Sequence, residues 1–298
     1  MQDTKTQIQI TKAHPLFGAE VRGMDLMQQQ DPEVYDQLRN ALAEYGVLVI
    51  KDQGHLNDEG QIEFCRGFGN LQTSITLHRE DTDRRMKRDE LTDLSNVDAS
   101  GNRIAADDTR RLLQLPGRLW HSDNSFRSPP GLFTFLHARV VPPEGGDTQF
   151  ADMRAAYDAL DDDMKARLKG LEVIHSLGWS REQVGAPPMS PKEKENLPDT
   201  VQPLVRIHPT TGRHSLYLSS HGRDVVGMDV AEGRALLAQL TEFATQDKFV
   251  LTHKWTAGDF VVWDNRCTMH RATPFPEEKY QRDMRRTSVE DTQAAVAA

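Results

Sequence analysis

Cysteine is scarce: Cys65 and Cys267 are the only two in 298 residues. Two thiols cannot build a disulfide framework, and such sparing use fits a reducing compartment. Long apolar runs are missing too, since none approaches the roughly 18 residues that mark a membrane span. The opening MQDTKTQIQI has neither the basic start nor the apolar core of a secretion signal. A soluble, cytoplasmic protein with no membrane partner is therefore expected. Basic charge is in deficit as well: 36 Lys and Arg face 45 Asp and Glu, a net charge of −9. General nucleic-acid binding needs a basic surface to neutralise phosphates, so it is not expected. A small anionic substrate stays open, because local arginines matter more there than the total. No internal repeat and no low-complexity tract is present.

What remains is enough for a substantial core: 37% of residues are hydrophobic, and 20 glycines add to them. The length fits one large domain or two small ones, and we read residues 1–298 as one. Asp31-Pro32 opens a helix, with Asp31 as cap, Pro32 at the first position, and Val34, Leu38, Leu42 and Tyr45 on one face. Gly46 stops it, and VLVI follows as a buried strand. A second helix is expected from about Asn57 to Phe68. Polar stretches at about 71–92 and 177–200 read as long, lid-like loops. LTDLSNV, GLFTFLHARVV, DTQFADM, LEVIHSL, PLVRIHP, HSLYLSS, KFVLTHKW, DFVVWDN and MRRTSVE read as strands. Asp152 caps a helix after DTQFADM, and Asp229 with Glu232 is spaced like a capping box before GRALLAQLTEFA. Many short strands with a few helices outside them predict a mainly β fold with flanking helices, a jelly roll. The alternation of strand and helix that a doubly wound α/β fold needs is lacking.

The chemistry starts at LWHSDNSF, Leu119–Phe126. In a strand, residues i and i+2 share a face, so His121 and Asp123 can aim at one ion. His270, in VVWDNRCTMHRA, is the candidate third ligand. Two His and one carboxylate form the facial triad of non-haem Fe(II) oxygenases, which leaves three positions open. Alone, His-x-Asp is a weak signal, and a capped strand end explains it as well. Two features add to it. If RDMRR is a strand, Arg282 and Arg286 point the same way, each able to take a carboxylate bidentately. PPEGGDTQF also puts Thr148 at the start of a strand, where its hydroxyl can help an arginine hold a carboxylate.

In this order, His-x-Asp, a Gly-Gly-Asp-Thr turn, WDNR with MHR, and paired arginines, the chain resembles the Fe(II)/2-oxoglutarate dioxygenases of the TauD/TfdA family. The resemblance runs from VRGMDL to RDMRRTSV. LWHSDNSF, VVPPEGGDTQFADMRAAYDAL, AEGRALLAQLTEFATQ and WDNRCTMHRA make it most similar to the 2,4-dichlorophenoxyacetate (2,4-D) branch. It implies a double-stranded β-helix and an iron site of His121, Asp123 and His270. It implies that Arg282 and Thr148 hold the distal carboxylate of 2-oxoglutarate, and that Arg286 holds the carboxylate of the prime substrate. O2 is the second co-substrate, and a homo-oligomer is usual in the family. An aryloxyacetate would be hydroxylated beside its ether oxygen and fall apart to a phenol and glyoxylate, with succinate and CO2 released.

His208 and His221 are candidate pocket residues, each able to hydrogen-bond an ether oxygen or a carboxylate; a structural histidine is the plainer account of both. Asn96 can reach the substrate or simply cap a turn. Phe126, Trp179 and Tyr217 are candidates for an aryl pocket or for core, and Cys267 reads as a small buried residue. One departure from the family pattern stands at Gly117, where relatives often carry an Asn; this bears on which acid is oxidised. The alternatives are the same chemistry on a sulfonate, an aryloxypropionate or an N-acyl amino acid. A binding protein that has lost catalysis predicts a broken triad or a missing arginine, and neither is seen. A zinc hydrolase leaves the two arginines and Thr148 without a reason.

Overall fold

The first helix forms where its signals lie, at Pro32–Tyr45 with Pro at the first position, although the Asp31 side chain makes no capping bond. Gly46 ends it at φ 71° and donates its N–H to Leu42 O. A Cβ there would sit 3.0 Å from Arg154 Nη2 and 3.2 Å from Thr268 Cγ2, so both conformation and space call for glycine. The chain then enters Val47–Ile50, all four residues buried. This is a computed structural model, and it describes residues 8–79 and 84–293.

Val47–Ile50 belongs to a seven-stranded sheet. Its order is Gln9–Lys12, Ala19–Arg22, Val47–Ile50, Phe260–Asp264, Gly131–Val140, Asp283–Glu290 and Thr92–Asp93. Phe260–Asp264 runs antiparallel to both neighbours, with Val262 opposite Leu48 on one side and Phe135 on the other. All five of its residues are buried, as expected of a strand covered on two faces. Side-chain alternation divides the sheet. Leu48, Phe135, Phe260 and Val262 face Leu38 and Leu42 of the first helix and Phe64 of the second, Asp58–Arg66. Val49, Leu136, Val261, Trp263 and Met284 point the other way and meet Phe150.

Phe150 lies on the middle strand of a second sheet, Val250–His253, Thr148–Asp152 and Thr268–Ala272. The neighbours of Phe150 and His270 on these strands, Ala151 and Met269, face away into a third cluster with Leu236 and Leu240 of the helix Val230–Ala244. Two sheets thus pack face to face, with helices outside both. A further three-stranded sheet, Gly222–Val225, Glu172–His175 and Thr200–Pro203, and a pair, His214–Leu216 with Val205–Ile207, complete the strands. Among the described residues no helix is long and apolar enough to cross a membrane. Asp152 accepts from Arg154 N and Ala155 N at the start of Met153–Asp158, as expected. Asp229 accepts from Ala231 N and Glu232 N, a cap without the reciprocal bond of a box.

The polar stretches differ from the reading as loops. Within 177–200 stand two short helices, Leu177–Glu182 and Pro191–Asn196, the second closed by a capping box of Ser190 and Glu193. Within 71–92, Ile75–His78 forms a 3-10 turn, and residues 80–83 lie outside those described. LTDLSNV shrinks to the two-residue strand Thr92–Asp93. One carboxylate joins the two stretches. Glu193, 3% exposed, accepts from Arg181 Nη1 at 3.0 Å and Nη2 at 2.7 Å, and lies 3.4 Å from Arg79 Nε. Its own helix cannot explain its burial; the two guanidiniums can.

Removing one partner of a buried ion pair strands the other, so Glu193→Ala should lower unfolding stability by about 3–5 kcal/mol in chemical denaturation. Burial raises the Glu193 carboxyl, but Arg181 and the Ser190 N–H outweigh this and hold it down at about 2. The carboxylate's contribution is present above the usual value of 4.5 and is lost as pH falls from there toward about 2. The gap between variant and wild type should therefore narrow across that window, and an unchanged gap would show that Glu193 is not charged when folded.

Candidate active site

His121 and His270 are brought together by backbone before side chains matter. They form an antiparallel bridge, His121 N donating to His270 O at 3.0 Å and His270 N to His121 O at 2.8 Å. Their ring centroids lie 4.1 Å apart. His270 sits on Thr268–Ala272 and packs on Trp263, 4.6 Å between centroids, in the space between the two sheets. The expected strand face for His121 and Asp123 is not what positions the pair. The chain turns directly after His121, with Asn124 at φ 54°, and Asp123 is delivered by that turn. Its N–H donates to Asn265 Oδ1 at 3.0 Å, and the single Ser122 hydroxyl proton lies between Leu218 O and Thr268 O, at 3.1 and 3.2 Å from Oγ.

Three Lewis-basic atoms converge. Asp123 Oδ1 lies 3.7 Å from His121 Nε2, and Asp123 Oδ2 lies 3.6 Å from His270 Nε2. The three ligand atoms lie within 4.8 Å of one another, all on buried residues. His121 Nδ1 is 2.8 Å from Leu119 O. Donating there fixes the tautomer and leaves the Nε2 lone pair for the centre. Asp123 Oδ2 is buried and has no hydrogen bond. Burial lowers both imidazoles, His270 to about 3, which keeps them neutral and basic toward a metal. Burial also raises the Asp123 carboxyl, but the Arg286 guanidinium outweighs it and holds the group well below the usual carboxylate range.

Arg286 is a direct partner of this centre, which the sequence did not disclose. From Asp283–Glu290 it donates Nη1 to Asp123 Oδ1 at 2.6 Å. Its Nε is buried with no partner. Arg282 lies one residue before that strand, and a register shift separates Asp283 from Met284. Among the described residues no protein group hydrogen-bonds the Arg282 guanidinium. Burial lowers it to about 10, partly offset by Glu277 and Asp147. Gly145 and Gly146 turn the chain beside it at φ 69° and 70°. A Cβ on Gly145 would meet Pro274 O at 2.5 Å, and Gly146 lies against Arg282 Nε. Thr148 follows, buried, with its Oγ1 accepting from Trp255 Nε1 at 3.0 Å.

His221 is brought beside the centre, its ring 6.1 Å from His121, with Nδ1 buried and unpartnered. Phe126 packs on it at 4.6 Å and joins Leu177, Leu197, Ile75 and Met189 in one apolar cluster. Apart from Phe126, this wall went unread, because it comes from the stretches taken as loops. Two other expectations are corrected. His208 is fully enclosed: its Nε2 bonds Asp264 Oδ2 at 3.1 Å and its Nδ1 accepts from Thr211 N at 3.4 Å, so neither nitrogen faces a ligand. Asn96 is spent on a loop, with Nδ2 donating to Glu277 O and Tyr280 O, and Oδ1 accepting from Arg282 N at 2.8 Å. It holds the backbone of Arg282 and does not point at a substrate. Trp179 stacks under Arg234 and Tyr217 under Arg206, and neither joins the Phe126 cluster. Arg118 pairs with Glu277, and a Cβ at Gly117 would meet only open space.

His208, Asp264 and Cys267 form a second convergence of ligand types. It is a poor metal site. Arg266 already grips Asp264 through Nε and Nη2, His208 bonds the same carboxylate, and burial pushes the Cys267 thiol up to about 12.

The family described as "Taurine catabolism dioxygenase TauD, TfdA family" matches residues 9–288. The alpha-ketoglutarate-dependent 2,4-dichlorophenoxyacetate dioxygenase of Cupriavidus pinatubonensis is 40% identical over 279 residues, 93% of this chain and 96% of that protein. The (S)-phenoxypropionate/alpha-ketoglutarate-dioxygenase of Sphingobium herbicidovorans is 39% identical over 267 residues, 87% of each. Among solved structures, AAD-2 in complex with Mn(II) and N-oxalylglycine is 42% identical, with a TM-score of 0.88 over 98% of this chain and 100% of that one.

The enclosure of His208 carries a prediction. His208→Gln should lower the thermal midpoint while leaving the KM for any acid substrate of the folded enzyme within about twofold, since surface-independent packing changes act mainly on stability. A large KM effect without loss of stability would return His208 to the substrate.

Proposed function

We propose a function on the premise that the family match supplies: the chain belongs to the TauD, TfdA family of dioxygenases. It is a dioxygenase that uses Fe(II), 2-oxoglutarate and O2 to hydroxylate a small organic acid. We read residues 1–298 as one catalytic domain whose two facing sheets form a double-stranded β-helix. Cytoplasmic residence is our reading of two buried, unpaired thiols, and a homo-oligomer rests on the family resemblance alone.

The observation that carries the site assignment is the buried convergence of His121, Asp123 and His270. Its donor set fits Fe(II): two neutral imidazoles and one carboxylate with an unsatisfied oxygen, a triad that fills three of the metal's positions. We assign the distal carboxylate of 2-oxoglutarate to Arg282, whose guanidinium has no protein partner, and to Thr148. When bound, the iron and 2-oxoglutarate together activate O2, releasing succinate and CO2 and placing one oxygen atom on a substrate carbon.

The chain's own residues then select and place that carbon. Arg286 keeps Nη1 on Asp123 and turns the rest of its guanidinium to the substrate acid. Phe126, Ile75, Leu177, Met189 and Leu197 receive the apolar part and exclude water, so that the C–H beside the acid is held toward the metal centre. We assign His221, whose ring stands beside His121, a hydrogen bond to the ether oxygen. An aryloxyacetate such as 2,4-D fits this division best. Its hydroxylated carbon carries the ether oxygen, and the resulting hemiacetal collapses to a phenol and glyoxylate. A chiral aryloxypropionate is the second reading, favoured by the 39% identity to the phenoxypropionate enzyme.

A succinate-release screen with Fe(II), 2-oxoglutarate and ascorbate should show the fastest turnover with 2,4-D or one enantiomer of an aryloxypropionate. Turnover confined to taurine or an N-acyl amino acid would overturn the substrate reading. Asp123→Ala should abolish succinate formation, and retained turnover would sink the metal assignment. Arg282→Ala should raise the KM for 2-oxoglutarate roughly 10- to 100-fold, the value of losing charge-assisted hydrogen bonds. Arg286→Ala should act on the KM for the acid and also weaken metal loading, through Asp123. If the two arginine variants exchanged their KM effects, the assignment of acids would be wrong.

A further inference from the structure

We propose that Trp255 is a positioning residue for the co-substrate: it sets the direction of the Thr148 hydroxyl proton. The inference rests on the reading above, that Thr148 meets the distal carboxylate of 2-oxoglutarate.

An indole N–H can only donate, whereas a threonine hydroxyl has one donor and two acceptor sites. The 3.0 Å bond between Trp255 Nε1 and Thr148 Oγ1 therefore has a single polarity, with Trp255 donating and Thr148 accepting. The hydroxyl proton cannot point at the indole, because two hydrogens would then meet. It is turned to the remaining side of the oxygen, and among the described residues no other side-chain bond of Thr148 competes for it. A rotor with three choices becomes a donor held ready for an anion. The entropy of that ordering is settled in folding, before the ligand arrives.

The indole is itself held. Thr148 pairs with His253 across two strands, and Trp255 follows His253 by two residues. The His253 ring meets the Trp255 ring edge-on at 4.6 Å and 86°. His253 Nε2 is 3.1 Å from Asp259 Oδ2, and Lys51 pins that carboxylate at 2.6 Å. On the apolar side Trp255 packs against the cluster that contains Met284 and Trp263. Gly146, two residues before Thr148, lies against the unpartnered Arg282 guanidinium. The hydroxyl and the guanidinium thus start from adjoining pieces of chain, and Trp255 orients the first of them.

The test is binding, without turnover. Calorimetry of Mn(II)-loaded protein with N-oxalylglycine is run on wild type, Thr148→Val, Trp255→Phe, Trp255→His and the Thr148→Val/Trp255→Phe pair, with thermal unfolding as a fold control. Trp255→Phe should weaken binding roughly three- to tenfold, the worth of one net hydrogen bond. The same change should cost nothing further in the Thr148→Val background. Trp255→His, which keeps a ring N–H, should retain affinity that Trp255→Phe loses. Additive losses in the pair, or equal losses for His and Phe, would assign Trp255 a packing role and overturn the inference. If Thr148→Val binds as tightly as wild type, the reading of Thr148 itself falls. If Thr148→Val weakens binding and Trp255→Phe does not, only the role of Trp255 falls.

Discussion

A carboxylate sealed from water stays an anion only beside compensating charge, and the site is arranged around that constraint. Asp123 is 2% exposed, and its nearest cation is Arg286. Taking either charge out of water costs several kcal/mol, which their mutual attraction and additional hydrogen bonds offset. The flanking histidines stay neutral because they are buried, so Asp123, Arg286 and Arg282 together give a site with one net positive charge. On the proposed reading, a dication, a co-substrate dianion held by Arg282 and a substrate monoanion held by Arg286 enter it. The loaded site returns to neutrality. The dication and the two acids thereby compensate one another, and only the full set leaves no net charge inside the protein.

The same constraint recurs away from the centre. Asp264 with Arg266 and His208, Asp152 with Arg154, and Glu193 with Arg181 are all enclosed pairs. Some of these groups also join distant parts of the chain: His208 bonds Asp264, and Arg154 donates to Ala43 O. Asp264 ends the central strand Phe260–Asp264 and is followed by Asn265, whose side chain accepts from the Asp123 N–H. The order of residues in WDNR is thus a physical sequence: Trp263 packs on His270, Asp264 anchors the turn, Asn265 carries Asp123, and Arg266 neutralises Asp264.

Much of the fold was legible because local rules decided it. Pro32 and Gly46 bracket the first helix, Asp152 and Asp229 cap theirs, and the alternation in DFVVWDN describes a strand packed on both sides. The three convergent ligands were legible too, although for the wrong local reason: a bridge and a turn, not one strand face, bring His121 and Asp123 to His270. What stayed hidden depends on partners far away in sequence. Glu193 is polar in composition and buried in fact, because Arg181 and Arg79 close over it. His208 and Asn96 carry the right groups for a ligand, but Asp264 and the loop before Arg282 already use them. Nothing in a linear pattern reports such prior engagement.

The apolar wall has an origin different from that of the charged groups. Arg286 and His270 stand on strands of the two packed sheets, whereas Ile75, Leu177, Met189 and Leu197 come from the short helices and turns clasped by Glu193. On the proposed reading, reactivity and selectivity therefore sit on different parts of the chain. Drift in the peripheral part can redirect the enzyme among related acids while the oxidising machinery stands still. For the same reason, a library confined to those four wall positions samples new substrates at little risk to turnover.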